Sequence, residues 1–172
     1  MRVIYTTNEK IKLLARRGID IYIEHPFTDE FSHLSPEDFV IKVLLEKTGM
    51  KVLVVGDDCG FGYKRQGNVE LLERMSKEYD FKLIVISKLE LEGEIVSSTR
   101  IRHLLSEGKV EEANRLMEDP FMICGSVVHG NHMGAEVLQM PTANQIPLED
   151  KLLPPNGVYV SRIHYKDETY YG

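Results

Sequence analysis

Lys51-Val52-Leu53-Val54-Val55-Gly56-Asp57-Asp58-Cys59-Gly60-Phe61-Gly62 is the stretch that decides the fold class. Its first five residues form a short, nearly continuous apolar run, the pattern of a strand buried on both faces of a parallel sheet. The glycine-rich turn that follows sits where open α/β sheets bind ligands, beyond the carboxyl end of a strand. Glycine there lets a backbone approach a ligand closely. An ordinary strand–helix turn has the same composition, so the loop alone leaves both readings open.

Working outward, Ser35-Pro36-Glu37-Asp38 reads as a helix start: a Ser N-cap, Pro at the first position and acids in the first turn. The helix is predicted from Pro36 to about Thr48, with Gly49 ending it. Upstream, Glu9 to Arg17 carries helical apolar positions and Gly18 is its stop. Ile19 to Ile23 alternates and is rich in β-branched residues, which predicts a strand, broken by His25-Pro26-Phe27-Thr28. Downstream come a helix (Asn68 to Tyr79), a strand (Phe81 to Ile86), a helix capped by Ser97-Ser98-Thr99 (Arg100 to Leu105) and a short helix (Val110 to Met117). This alternation predicts an α/β fold with a parallel sheet and crossover helices.

The texture changes near residues 118 to 121. Phe121 to Val128 and Gly157 to Tyr165 are β-prone runs separated by Gly, Pro and Asn, which predicts antiparallel β of barrel-like type. The expected organisation is therefore two parts, 1–118 and 119–172, the second thin for an independent core.

Composition removes several function classes. The chain has 172 residues and a net charge of −6, which disfavours a nucleic-acid surface. An acidic protein still binds ATP, because Mg²⁺ and a few local donors handle the phosphates. Cys59 and Cys124 form no CxxC pair, so no disulfide framework or zinc site is expected. The histidines lack metal-ligand spacing. No apolar run approaches the roughly 18 residues of a membrane span, and Met1 to Lys12 is not signal-like. The expectation is a cytoplasmic protein with no nucleic-acid and no membrane partner. Glu90, Glu92 and Glu94 read as a solvated edge or loop.

Three constellations carry chemistry. Ser97-Ser98-Thr99-Arg100-Ile101-Arg102 places three hydroxyls at a helix N-terminus, whose free N–H groups and partial positive charge suit phosphate. Arg100 and Arg102 add cations that pair bidentately with phosphate oxygens. Plain capping with solvent-facing arginines is the competing reading. The second constellation is the Gly56 to Gly62 loop. The third is Gly125-Ser126-Val127-Val128-His129-Gly130, then Pro141-Thr142-Ala143-Asn144, then Leu153-Pro154-Pro155-Asn156-Gly157-Val158-Tyr159. A Thr hydroxyl and an Asn carbonyl are hard oxygen donors suited to Mg²⁺, although a turn explains the Pro-Thr-Ala-Asn segment taken by itself.

Ser97 to Arg102, preceded by Ile95-Val96, resembles the I-S-S-T-x-I-R signature of the nucleotidylyltransferase superfamily. Gly56, Asp58, Phe61 and Gly62 match the V-G-x-D-F-x-F-G loop of FAD synthetases, with Cys59 where that family usually has Phe. The third constellation closely resembles the riboflavin kinase barrel. In this order and spacing the chain resembles the bacterial bifunctional riboflavin kinase/FMN adenylyltransferase (FAD synthetase) family over nearly its whole length.

The resemblance implies an incomplete Rossmann-like nucleotidylyltransferase sheet followed by the start of an antiparallel riboflavin kinase-like β-barrel. It implies ATP, riboflavin and FMN as substrates, FAD as product and Mg²⁺ as cofactor. Ser97, Ser98, Thr99, Arg100 and Arg102 would hold the ATP phosphates of the adenylyl transfer, and Gly56, Asp58, Phe61 and Gly62 would form a nucleotide or flavin loop. Gly125, Val127, His129, Gly130, Pro141, Thr142 and Asn144 would bind the kinase nucleotide, with Thr142 and Asn144 on Mg²⁺.

Departures qualify that expectation. Gly134 to Met140 lacks the family's Arg and second Gly before Pro-Thr-Ala-Asn. The family's H-x-G-H segment and its downstream kinase Glu have no counterpart in the 172 residues. No catalytic residue is therefore assigned, and an incomplete or poorly active form is expected. The alternative is a non-catalytic nucleotide- or flavin-binding or assembly module, self-associating through unpaired sheet edges.

Overall fold

The computed structural model describes residues 2–128 and 144–172. The fold is mixed α/β with small sheets. Its elements are helix α1 (Thr7–Arg16), α2 (Asp29–Ser32), α3 (Pro36–Asp38) and β1 (Val52–Gly56), then α4 (Val69–Glu78), β2 (Lys82–Ile86), β3 (Glu90–Leu91) and β4 (Glu94–Ile95). They continue with α5 (Ser98–Ser106), α6 (Val110–Met117), β5 (Gly125–Val128), β6 (Asn144–Pro147), β7 (Arg162–Tyr165) and β8 (Glu168–Tyr171). The chain divides into two compact units, Met1–Tyr22 with Ser97–Gly172, and Ile23–Val96.

In the Ile23–Val96 unit, β1 and β2 pair in parallel, Val52 opposite Lys82 through Gly56 opposite Ile86. α4 is the crossover between them, started by Asn68, whose side chain accepts the Leu71 N–H at 2.9 Å. The helix begun by Ser35 and Pro36 widens into a π-helix over Phe39–Leu45, with the Glu46 N–H bonding Ile41 O at 2.9 Å. Val40, Leu72, Met75 and Phe81 make the buried core of this unit.

Two expectations fail here. Ile19 to Ile23 forms no strand, and Ile21 and Ile23 are exposed. Alternation makes a strand only where a neighbouring ladder accepts its backbone groups, and no described strand pairs with this segment. The Val52–Gly56 strand is also not buried on both faces: Val52 and Val54 are each about half exposed. Leu53 and Val55 face the core, while the opposite face of the two-stranded pair is uncovered. The glutamates Glu90 and Glu94 are exposed on the small β3–β4 hairpin, as expected of a solvated edge.

In the other unit, α5 packs on α6 around Ile101, Leu104, Leu105 and Ala113, and Ile4 and Leu152 close the same cluster. Burying a side chain such as Leu105 contributes roughly 1.5–3 kcal/mol. Residues 2–6 are drawn in by a parallel bridge from Val3 to Lys151, with Val3 N–H on Asp150 O and Leu152 N–H on Val3 O, both 2.8 Å. β5 and β6 pair antiparallel, as do β7 and β8. The predicted β texture after Pro120 is present, but it is shorter than expected. Strand structure starts at Gly125 rather than Phe121, and at Arg162 rather than Gly157. No closed barrel occurs among the described residues.

Candidate functional site

The first candidate is the N-terminus of α5. Ser97 lies in an extended conformation and its hydroxyl accepts the Arg100 N–H at 3.3 Å, while Ile101 N–H closes onto Ser97 O at 3.0 Å. Helix geometry leaves the Ser98 and Thr99 N–H groups without an intrahelical acceptor. One turn in, Arg102 Nε is buried and has no hydrogen-bond partner among the described residues. A guanidinium N–H held out of water in this way is an energetic cost unless something accepts from it. The helix is fixed from behind by Ile101, Leu104 and Leu105 in the core. Ser97 to Arg102 thus form one capped helix start packed on the core.

The Gly56 to Gly62 loop belongs to the other unit. Asp58 pairs with Lys88 at 3.0 Å, which holds its carboxyl below the ordinary aspartate value, chiefly through the Lys88 hydrogen bond. The same bond holds the Lys88 ammonium above the ordinary lysine value. Phe61 and Gly67 exchange backbone hydrogen bonds of 3.2 and 2.9 Å, and the Phe61 ring covers Gly67 and tilts against Phe39 at 6.0 Å. Gly62 adopts φ +68, and a Cβ there would lie 2.7 Å from the Pro36 backbone. Phe61 and Gly62 are therefore explained by packing. Gly56 ends β1, and Asp58 is exposed beside Lys88.

Of the third constellation, Gly125, Val127 and Asn144 lie on the antiparallel pair, with Gly125 opposite Pro147, Val127 opposite Gln145 and Val128 opposite Asn144. Asn144 is exposed at the first position of β6. His129, Gly130, Pro141 and Thr142, and the Gly134 to Met140 segment, lie outside the described residues. Among the described residues, no three His, Cys, Asp or Glu side chains gather as a metal site, and no helix is long and apolar enough to cross a membrane.

The structure also contains a polar centre that the sequence did not disclose. Glu9 and Lys151 are both fully buried and meet at 2.7 Å. Lys151 Nζ donates to Glu9 Oε2, to Ile4 O at 2.6 Å and to Met122 O at 2.7 Å, using all three N–H groups of an ammonium. Glu9 Oε2 also accepts the Thr6 N–H at 2.8 Å, and Oε1 accepts the Cys124 N–H at 2.7 Å. The ammonium lies over the rings of Phe121 (4.4 Å) and Tyr5 (5.4 Å). Burial pushes the Lys151 pKa down, and the Glu9 hydrogen bond and charge oppose that shift. The signal for half of this centre was readable: Thr6-x-x-Glu9 is a capping box, and both of its hydrogen bonds form. Lys151, in the polar run Glu149-Asp150-Lys151, carries none, since lysine is rarely buried.

Residues 1–100 match the family model described as FAD synthetase. The chain belongs to that family. Residues 117–172 match a second family model, riboflavin kinase. A bifunctional riboflavin kinase/FMN adenylyltransferase of Buchnera aphidicola subsp. Schizaphis graminum is 43% identical over 159 residues, 92% of this chain and 50% of that protein. Proteins of the same description from Listeria monocytogenes and Escherichia coli K12 are each 34% identical, covering 95% and 90% of this chain and 51% and 49% of their own lengths. The FAD synthetase-family chain thus spans about half the length of the curated relatives it matches. A solved structure described as a macrolide-efflux protein from Streptococcus pneumoniae superposes with a TM-score of 0.84 at 30% identity, over 98% of this chain and 53% of that one.

Proposed function

We propose that this chain carries nucleotide-binding parts of two transferases of flavin cofactor synthesis, an FMN adenylyltransferase and a riboflavin kinase. In the kinase reaction the riboflavin hydroxyl takes the γ-phosphoryl group of ATP, giving FMN and ADP. In the adenylyl transfer the FMN phosphate attacks the α-phosphorus of a second ATP, giving FAD and pyrophosphate. Both family matches and the named relatives support this reading.

One observation carries it: the capped start of α5, whose first N–H groups lack intrahelical acceptors and whose Arg102 Nε is buried with no hydrogen-bond partner among the described residues. Phosphate oxygens supply the acceptors such a site lacks. Ser97, Ser98, Thr99, Arg100 and Arg102 would hold the triphosphate by positioning and charge neutralisation. Taken by itself, the Gly56, Asp58, Phe61 and Gly62 loop would be a nucleotide- or flavin-contacting loop. On β6, the exposed Asn144 amide oxygen is a hard donor suited to Mg²⁺, and Thr142 would be its companion. Mg²⁺ bound there would neutralise phosphate charge.

The same reading divides the chain at residue 118, with β1 and β2 as part of a Rossmann-like sheet and β5 and β6 as the start of a barrel. The division is supported by the matched ranges 1–100 and 117–172. It places the protein in the cytoplasm, where ATP and flavins are available. It also admits self-association through the unpaired edges of the two-stranded β1–β2 sheet.

Calorimetric titration of the chain with ATP and with AMP tests the reading. ATP binding at least about tenfold tighter than AMP is expected, because the proposed site holds a triphosphate and AMP offers a single phosphate. Equal affinity for the two nucleotides, or no ATP binding, overturns it.

A further inference from the structure

The Glu9–Lys151 centre touches the antiparallel pair at one particular end. Cys124, whose N–H is held by Glu9 Oε1, immediately precedes β5, and Met122 O is held by Lys151. Lys151 itself follows β6 after a turn closed by Lys151 N–H on Leu148 O at 3.0 Å. Gly125 and Pro147 are opposite one another, so both contacts lie at the same root of the pair. Val128 and Asn144 are at the far end. The anchoring surface is the N-terminal segment: Ile4 O, the Thr6 N-cap and Glu9 of α1.

Stability alone does not account for such a centre. Removing two charges from water costs about what their attraction returns, and an apolar pair of similar volume is often as stable. What apolar side chains lack is direction. The three donors of Lys151 and the two oxygens of Glu9 make five hydrogen bonds of 2.6–2.8 Å, one between themselves and four that fix backbone groups of Ile4, Thr6, Met122 and Cys124. They do so at the base of the strands that carry Gly125, Val127 and Asn144.

We propose that Glu9 and Lys151 are positioning residues. They fix the root of the β5–β6 pair on the N-terminal segment and so set where its far end meets a nucleotide. The proposal rests on the reading of β5–β6 as nucleotide-binding, and it couples the residues matched as FAD synthetase to those matched as riboflavin kinase.

The test is hydrogen exchange on the full chain and on a Glu9→Met, Lys151→Met double variant, with and without Mg·ADP. The double variant is expected to melt cooperatively. Its β5 and β6 amides should exchange at least about tenfold faster than the parent's, while those of α5 and α6 change by less than about twofold. Protection of β5 and β6 by Mg·ADP should disappear in the variant. Unchanged exchange in β5 and β6, or an equal rise in α5 and α6, overturns the proposal by showing that the pair only fills space or only stabilises. If the double variant does not fold, Glu9→Gln decides by the same comparison, because it keeps the side-chain size while removing the carboxylate charge and one of the two oxygens that hold Lys151, Thr6 and Cys124. If Mg·ADP protects neither strand in the parent, the nucleotide reading fails, while the contrast between strands and helices still judges the anchoring.

Discussion

At the residue scale, the two ion pairs of interest behave oppositely. Asp58 and Lys88 are half in water, so their bond moves a pKa more than it holds the fold. Replacing Lys88 by Met should return the Asp58 carboxyl upward toward the ordinary 3.8, as read by an NMR titration of its side-chain carbon. An unmoved titration contradicts the pairing. The sign follows from linkage: the folded value lies below 3.8, so the pair's small contribution is present above 3.8 and is lost as pH falls through the folded value. Lys151 is the reverse case. Lys151→Met leaves the Glu9 carboxylate buried without its cation, which should cost about 3–5 kcal/mol in denaturant unfolding. The double Met variant should recover most of that loss. A single variant as stable as the parent would contradict this account of the pair.

At the element scale, what the sequence disclosed follows from local chemistry. The starts at Ser35, Asn68 and Ser97 were readable because a cap is a contact within four residues, and each side chain makes the bond expected of it. The parallel pairing of β1 with β2 followed from an apolar run, a helix and a second run. The failed expectations concern contacts between distant segments. Ile19 to Ile23 has the composition of a strand without a partner, and the two-faced burial of Val52–Gly56 needed neighbours that the sequence pattern cannot certify. Gly62 belongs here too, since its reading as a ligand-approach glycine competes with its contact to Pro36. Gly62→Ala places a Cβ 2.7 Å from backbone at φ +68, so it should lower stability by at least about 1–3 kcal/mol. A thermal melt of the purified variant measures it, and an unchanged midpoint would mean the loop moves freely.

At the scale of the whole molecule, the capped start of α5, proposed to hold phosphate, was legible because it is contiguous in sequence, and family membership followed from the order of three such segments. The Glu9–Lys151 centre was not legible, because it joins residues 142 positions apart and buries a side chain that is ordinarily exposed. The chain thus holds a readable helix start on a scaffold whose fastening is visible only in three dimensions. The central claim is that ATP phosphates bind at the start of α5. Its most direct test is a titration of isotopically labelled chain with Mg·ATP, read at the backbone amides of Ser98 to Arg102. Saturable shifts at these amides that vanish in Arg102→Ala are the predicted result, whereas saturable shifts confined to other residues would contradict the account.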